Sequence, residues 1–173
     1  IKIEEQKAGA RIDFDEEKKN VTDFALWIKA PENHLMKWDT FWGKCYPGWH
    51  LECSAMSMEY LGETFDIHGG GLDLCFPHHE NEIAQSESLT GKPMANYWIH
   101  NNYVTVDGQK MSKSLGNFTT LRDALKLNSN NVIRWFFLSV NYGNEMDFND
   151  SALKQSSINF NKLSTLLNNL RHI

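Results

Sequence analysis

A surplus of positive charge is missing from this chain. Its 17 Lys and Arg are outnumbered by 22 Asp and Glu, giving a formal net charge of −5. A chain of that balance is not a basic clamp for nucleic acid, so any RNA contact must come from local patches. Cysteine is scarce too: Cys45, Cys53 and Cys75 are an odd count without dense spacing. That argues against a disulfide scaffold and for a reducing compartment. No apolar run approaches the ~18 residues of a membrane-spanning helix. The first residues, Ile1-Lys2-Ile3-Glu4-Glu5, lack the apolar stretch of a signal peptide. There is no internal repeat and no low-complexity segment. The G-x-x-x-x-G-K-[ST] phosphate loop is absent as well, so a P-loop enzyme is not indicated.

What is present is concentrated between residues 48 and 116. Lys110-Met111-Ser112-Lys113-Ser114 places two lysines three apart, with two serines and no acidic residue among the five. An ammonium on a flexible stem can follow a moving phosphate as a point charge, and serine hydroxyls add hydrogen bonds. A solvated surface turn is the ordinary alternative. Upstream, His50–Leu61 has helical periodicity, with Leu51, Ala55, Met58 and Leu61 on one face and Gly62 as a stop. A short strand is expected over Thr64–His68, followed by Gly69-Gly70-Gly71-Leu72-Asp73. Glycines after a strand allow close backbone approach to a ligand, and a nearby acid can accept ribose hydroxyls. A tight turn would use the same residues. Pro77 suits the first turn of a second helix. On such a helix His78 and Glu82, at i and i+4, share one face. Cys53 lies 25 residues before His78 on the preceding helix. A thiolate, an imidazole and a carboxylate are suitable zinc ligands; an ordinary surface pair and a small buried cysteine remain the plain alternative.

Flanking regions read differently. Residues 1–48 are polar and rich in Lys and Glu, with Pro31 and Pro47 and an aromatic island at Asp23–Lys29. They read as an extended segment leading into a domain, with Trp38–Gly48 a loop fixed by buried aromatics. Tyr97–Val106 reads as a strand or hairpin. Beyond the lysine loop, three helices are expected. Thr119 or Thr120 caps the first, Asn130 or Asn131 the second, and Asn149 or Asp150 the third. The expected class is α/β, one half of a doubly wound sheet followed by an all-α tail.

The runs Gly48-Trp49-His50-Leu51-Glu52-Cys53-Ser54-Ala55-Met56, Phe65-Asp66-Ile67-His68-Gly69-Gly70-Gly71-Leu72-Asp73-Leu74 and Phe76-Pro77-His78-His79-Glu80-Asn81-Glu82, with the lysine loop, resemble cysteinyl-tRNA synthetases, a family of class I aminoacyl-tRNA synthetases. The resemblance implies the second half of a Rossmann-like nucleotide-binding fold. It divides the chain into the end of a connective insertion and linker (1–48), the catalytic half (49–118), a helical stem-contact region (119–148) and the start of a helical tRNA-binding domain (149–173). It assigns Cys53, His78 and Glu82 to one zinc ion, and Trp49 and His68 to the amino-acid pocket. It assigns Gly69, Gly70, Asp73 and Lys113 to ATP, and Lys110 and Lys113 to catalysis. It implies ATP with Mg²⁺, L-cysteine and tRNA(Cys) as substrates, no membrane, a monomer and the cytoplasm. The implied reaction is ATP-dependent formation of cysteinyl-adenylate, then transfer to tRNA, with zinc–thiolate selection of cysteine. The family's His-x-Gly-His signature and its fourth zinc ligand, a Cys in the first half of the fold, are absent. With no initiating Met, the chain reads as a fragment that is inactive alone. Two relatives in chemistry stay open: a ligase joining cysteine to a glucosaminyl-inositol acceptor, and a non-catalytic zinc- or RNA-binding paralogue.

Overall fold

A computed structural model describes residues 18–20 and 22–171. The expectations for residues 1–17 lie outside the described residues. The chain divides into two compact units. One holds the chain up to His68 together with Phe76–Tyr97; the other holds Gly69–Cys75 and the chain from Trp98 onward.

In the first unit, strands β1 (Trp27–Lys29), β2 (Trp38–Thr40) and β3 (Gly43–Pro47) form an antiparallel sheet in the order β1-β3-β2. This corrects the expectation of an extended lead-in and of a loop held by buried aromatics. Phe41 and Trp42 sit in the β2–β3 turn, 86% and 59% exposed, and Cys45 on β3 is the buried residue of this stretch. Strands of three to five residues are too short to show an alternating pattern. The sheet leads into helix α1 (Trp49–Leu61) through Gly48. Gly48 donates its N–H to the Leu26 carbonyl at 2.8 Å. A Cβ on Gly48 would lie 2.3 Å from the Ala25 carbonyl oxygen, so this crossing admits only glycine.

Helix α1 ends at Gly62 as expected, with Gly62 at φ 89°. Helix α2 (Glu80–Thr90) ends at Gly91 in the left-handed region. Its start differs from expectation. Pro77 falls in a short irregular helical turn, Cys75–His79, in which Phe76 is extended, and the regular helix begins only at Glu80. The buried face also differs. The apolar stripe read on α1 is packed only in part: Ala55 and Leu61 are exposed, Leu51 and Met58 are half-buried, and the buried residue between them is Ser54. On α2 the buried residues are Glu82 and Ser86. The helices meet through a polar seam. Gln85 Nε2 donates to Ser54 Oγ and to the His50 carbonyl, both at 2.5 Å. Ser86 Oγ donates to Ser54 Oγ at 2.9 Å. Buried polar groups are tolerated when they satisfy one another, so here polarity marks the interior.

Strands β4 (Phe65–Gly71) and β5 (Ala95–Asn101) are hydrogen-bonded neighbours. The β4 strand runs through the whole glycine triplet and so is longer than the expected Thr64–His68. Gly69 lets β4 lie close to β5: a Cβ there would sit 3.2 Å from the Ile99 carbonyl oxygen, and that backbone would have to yield by a few tenths of an ångström.

In the second unit, β6 (Val104–Val106) pairs antiparallel with β7 (Gln109–Lys110) and parallel with β8 (Met146–Asp147). The expected strand or hairpin at 97–106 is thus two strands in separate sheets. Helices α3 (Leu121–Leu127), α4 (Asn130–Leu138) and α5 (Asp150–Arg171) form the helical tail, with β8 inserted between α4 and α5. Thr120 caps α3, accepting from Asp123 N–H at 3.0 Å. The α4 cap is Ser129, not the expected Asn130 or Asn131. Asn149 caps α5 by accepting from Ala152 N–H at 2.8 Å. The core of this unit joins Phe136, Met146 and Leu153, with Val140, Phe148 and Ala152 against it.

Candidate metal centre and nucleotide loop

Helix α1, the turn Cys75–His79 and helix α2 bring Cys53, His78 and Glu82 together, with one donor atom from each within 4.8 Å of the others. Glu82 is 0% exposed and His78 is 4% exposed. A buried carboxylate is costly unless cations or donors compensate it. Glu82 Oε2 lies 2.8 Å from His68 Nε2. Its other oxygen, Oε1, is buried without a hydrogen-bond partner and lies 3.6 Å from His78 Nε2. That orphan oxygen, beside a thiol and an imidazole nitrogen, fits a bound cation.

The protonation states fit as well. Burial, reinforced by His50 and His68, pushes His78 down to about 4, so at neutral pH it is the uncharged imidazole that ligates metals. His78 Nδ1 is 2.7 Å from His50 Nδ1. When His78 donates that proton to His50, its Nε2 lone pair faces the orphan oxygen, the tautomer that a ligating histidine needs. Burial, then the negative charges of Glu82 and Glu52, push the Cys53 thiol up. A bound dication reverses that tendency and favours the thiolate.

Trp49 and His68, the residues expected in an amino-acid pocket, both touch this group. The Trp49 ring stacks on His78 with centroids 4.0 Å apart, while its outer face stays half exposed. His68 holds Glu82 from the other side. Sequence reasoning missed His50, His79 and the Ser54–Gln85–Ser86 seam. A signal was available for His79, which stands beside His78; none marked His50, and Ser54 was masked because it shares a helical face with Leu51 and Met58.

The residues expected at the nucleotide lie in the second unit. Gly69 and Gly70 are on β4, and Asp73 is in the 3₁₀ turn Leu72–Leu74 that follows. A Cβ at Gly71 would come 2.5 Å from Asp73 Oδ1, so the carboxylate folds back onto the glycine strand. Lys110 ends β7 and Lys113 sits in the loop beyond. The loop satisfies its own backbone. Ser112 N–H donates to Asn117 Oδ1 at 2.9 Å, and Asn117 Nδ2 donates to the Lys110 carbonyl at 3.2 Å. Gly116 N–H donates to the Lys113 carbonyl at 3.2 Å. The two ammonium groups rest over aromatic faces: Lys110 over Tyr103 at 4.2 Å and Lys113 over Phe118 at 5.5 Å. Among the described residues neither makes an ion pair. A residue absent from the sequence reading, Asp147, fixes the turn ahead of the loop. It accepts from Gly108 N–H at 3.1 Å and from the Thr105 hydroxyl at 2.9 Å. These two donors hold its carboxyl below the usual range.

Comparison with known proteins gives the chain a family. The family model of the class I (C) tRNA synthetase catalytic domain matches residues 1–158. A cysteine--tRNA ligase of Carboxydothermus hydrogenoformans is 53% identical over 171 residues, covering 99% of this chain and 37% of that protein. One from Geotalea daltonii is 54% identical over 161 residues, covering 93% of this chain and 32% of that protein. Among solved structures, the LeuRS–tRNA–LeuAMS ternary complex of Agrobacterium radiobacter superposes with a TM-score of 0.58 at 17% identity, over 78% of this chain and 21% of that one. The fold is therefore that of a class I synthetase catalytic domain. The chain belongs to the cysteinyl-tRNA synthetase family, and it spans about a third of the length of these curated relatives.

Proposed function

We propose that this chain supplies the cysteine-selecting and phosphate-binding part of a cysteine--tRNA ligase. The observation that carries the proposal is Glu82, fully buried, with an unpartnered oxygen beside Cys53 and His78. Cys53, His78 and Glu82 would hold one zinc ion. Zinc is borderline-soft and favours thiolate sulfur, which separates cysteine from serine where shape alone is worth only about 1–3 kcal/mol. Trp49 and His68 line the amino-acid pocket beside those ligands. Gly69 and Gly70 let the adenosine approach the β4 backbone, and Asp73 accepts its ribose hydroxyls.

The cysteine carboxylate attacks the α-phosphate of ATP, held with Mg²⁺, and the bond to the β-phosphate oxygen breaks to release pyrophosphate. Lys113 stabilises the charge that grows on that leaving group, and Lys110 helps fix the loop. The loop orders on nucleotide binding, since its lysines are held only by aromatic faces. The 2′-hydroxyl of the terminal tRNA ribose then attacks the cysteinyl-adenylate. The helical residues 119–148 contact the tRNA stem, and α5 opens the tRNA-binding helical domain. A cytoplasmic monomer suits this role.

The test uses the full-length protein. Metal analysis of wild type and Cys53→Ser should show loss of the stoichiometric zinc in the variant, with cysteine-dependent pyrophosphate exchange lost alongside it. A variant that kept both its zinc and its exchange activity would remove Cys53 from the site.

A further inference from the structure

Glu82 belongs to two donor groups, and only one has been used above. Besides Cys53 and His78, the donor atoms of His68, His79 and Glu82 also lie within 4.8 Å of one another. The two carboxylate oxygens divide between the groups. Oε1 faces His78, and Oε2 lies 2.8 Å from His68 Nε2. The His68 and His79 rings are close, with centroids 4.8 Å apart, and His79 is buried.

We propose that His68, His79 and Glu82 form a second metal site, which accepts a further divalent ion of the zinc, cobalt or nickel class with the Glu82 carboxylate bridging the two ions. The donor chemistry selects the class. Two imidazoles and one carboxylate suit these borderline ions, whereas magnesium and calcium prefer oxygen donors throughout. Three protein ligands leave a position for solvent, the pattern of an open site.

Geometry sets the order of filling. Ligand bonds of about 2.0–2.1 Å in a tetrahedron place neighbouring donors roughly 3.3–3.4 Å apart. His78 Nε2 and Glu82 Oε1, at 3.6 Å, are already near that spacing. His68 Nε2 and Glu82 Oε2, at 2.8 Å, must open by about half an ångström and give up their hydrogen bond. The thiolate site therefore fills first, and the two-histidine site fills only when metal is in surplus.

The two sites differ in sulfur, and cobalt(II) reports that difference. The full-length protein, stripped of metal and shown by circular dichroism to stay folded, is titrated with Co²⁺. The first equivalent should bring a thiolate-to-cobalt charge-transfer band. A second should add ligand-field absorption without raising that band. His79→Ala should keep the first event and weaken the second by at least the roughly 10–100-fold that loss of an outer-shell partner costs. Cys53→Ser should weaken the first event and its charge-transfer band but keep the second event, and the Cys53→Ser/His79→Ala pair should lose that second event as well. If His79→Ala does not fold, His68→Asn is read in its place. A wild-type titration that stops at one equivalent would overturn the proposal. So would a second event unchanged in His79→Ala, or one in Cys53→Ser that survives the added His79→Ala. A missing charge-transfer band with the second event intact would instead count against Cys53 as a ligand and leave the two-histidine site standing.

Discussion

Glu82 sets its carboxyl group in the interior, with His68, His78 and Cys53 around it. Lys110 and Lys113 set their ammonium charges at the surface, resting over Tyr103 and Phe118. The first arrangement sets donor positions before any ligand arrives. Moving one member exposes or orphans the others, so site and fold are tied together. The second leaves the charges able to travel, since an ammonium over a ring is held by only about 0.5–1 kcal/mol at an exposed position. Under the proposed function the fixed donors would select the amino acid, and the charge that can move would follow a departing pyrophosphate.

Lys113→Ala tests that contrast most strongly. In the full-length protein it should slow cysteine-dependent pyrophosphate exchange by about 10²–10³-fold, roughly 3–4 kcal/mol. Zinc content, cysteine affinity by titration and melting temperature should stay at wild-type values. An exchange rate within about twofold of wild type would remove Lys113 from catalysis. Altered zinc content would show that the two regions are not separable.

Gly48→Ala probes the fixed side. The new Cβ meets the Ala25 carbonyl at 2.3 Å, and overpacking of this kind costs on the order of 1–3 kcal/mol. Because Gly48 immediately precedes α1, denaturant unfolding should show the loss and zinc affinity should fall with it. Wild-type stability in this variant would mean that the crossing can relax. A smaller effect is expected in the helical tail. Thr120→Ala removes the α3 cap and should lower stability by about 1 kcal/mol, with zinc affinity unchanged; Thr120→Asp should restore most of the loss.

The smallest effect concerns Asp147. Its pKa in the fold lies below the ordinary carboxylate range, because Gly108 N–H and the Thr105 hydroxyl favour the charged form. The contribution is therefore complete above the unfolded carboxylate value near 4 and fades as pH falls through the lower folded value. The protection factor of the Gly108 amide, its intrinsic exchange rate at each pH divided by its observed rate, should fall on acidification in the wild type. In Asp147→Asn the same amide should be less protected at neutral pH, and its protection should change less with acid. A pH response in the variant equal to that of the wild type would assign the effect to another group.

Much of the site was legible in the sequence because its residues are close in the chain or tied to helical spacing. His78 and Glu82 at i and i+4 needed only a helix between them. Gly62 and Gly91 marked helix ends by their backbone preference, and Thr120 marked a helix start by its hydroxyl. The packed face of α1 was not legible. A search for apolar periodicity finds Leu51, Ala55, Met58 and Leu61, but the buried residue is Ser54 because Gln85 and Ser86 answer it from α2. The short strands β1 to β3 carry too few residues to show a period. The two residues of β8 gave no signal, since their pairing with β6 depends on sequence far away.

That distant pairing bears on the order in which the protein matures. Asp147, which fixes the turn before the lysine loop, is 42 positions downstream of Thr105, its partner. Closing a connection of that length costs loop entropy that no local contact repays. During synthesis, residues 105–116 emerge well before Asp147 does. The loop proposed to handle phosphate therefore acquires its aim only after α3, α4 and β8 have left the ribosome, whereas the donors on α1, the turn Cys75–His79 and α2 can already have met.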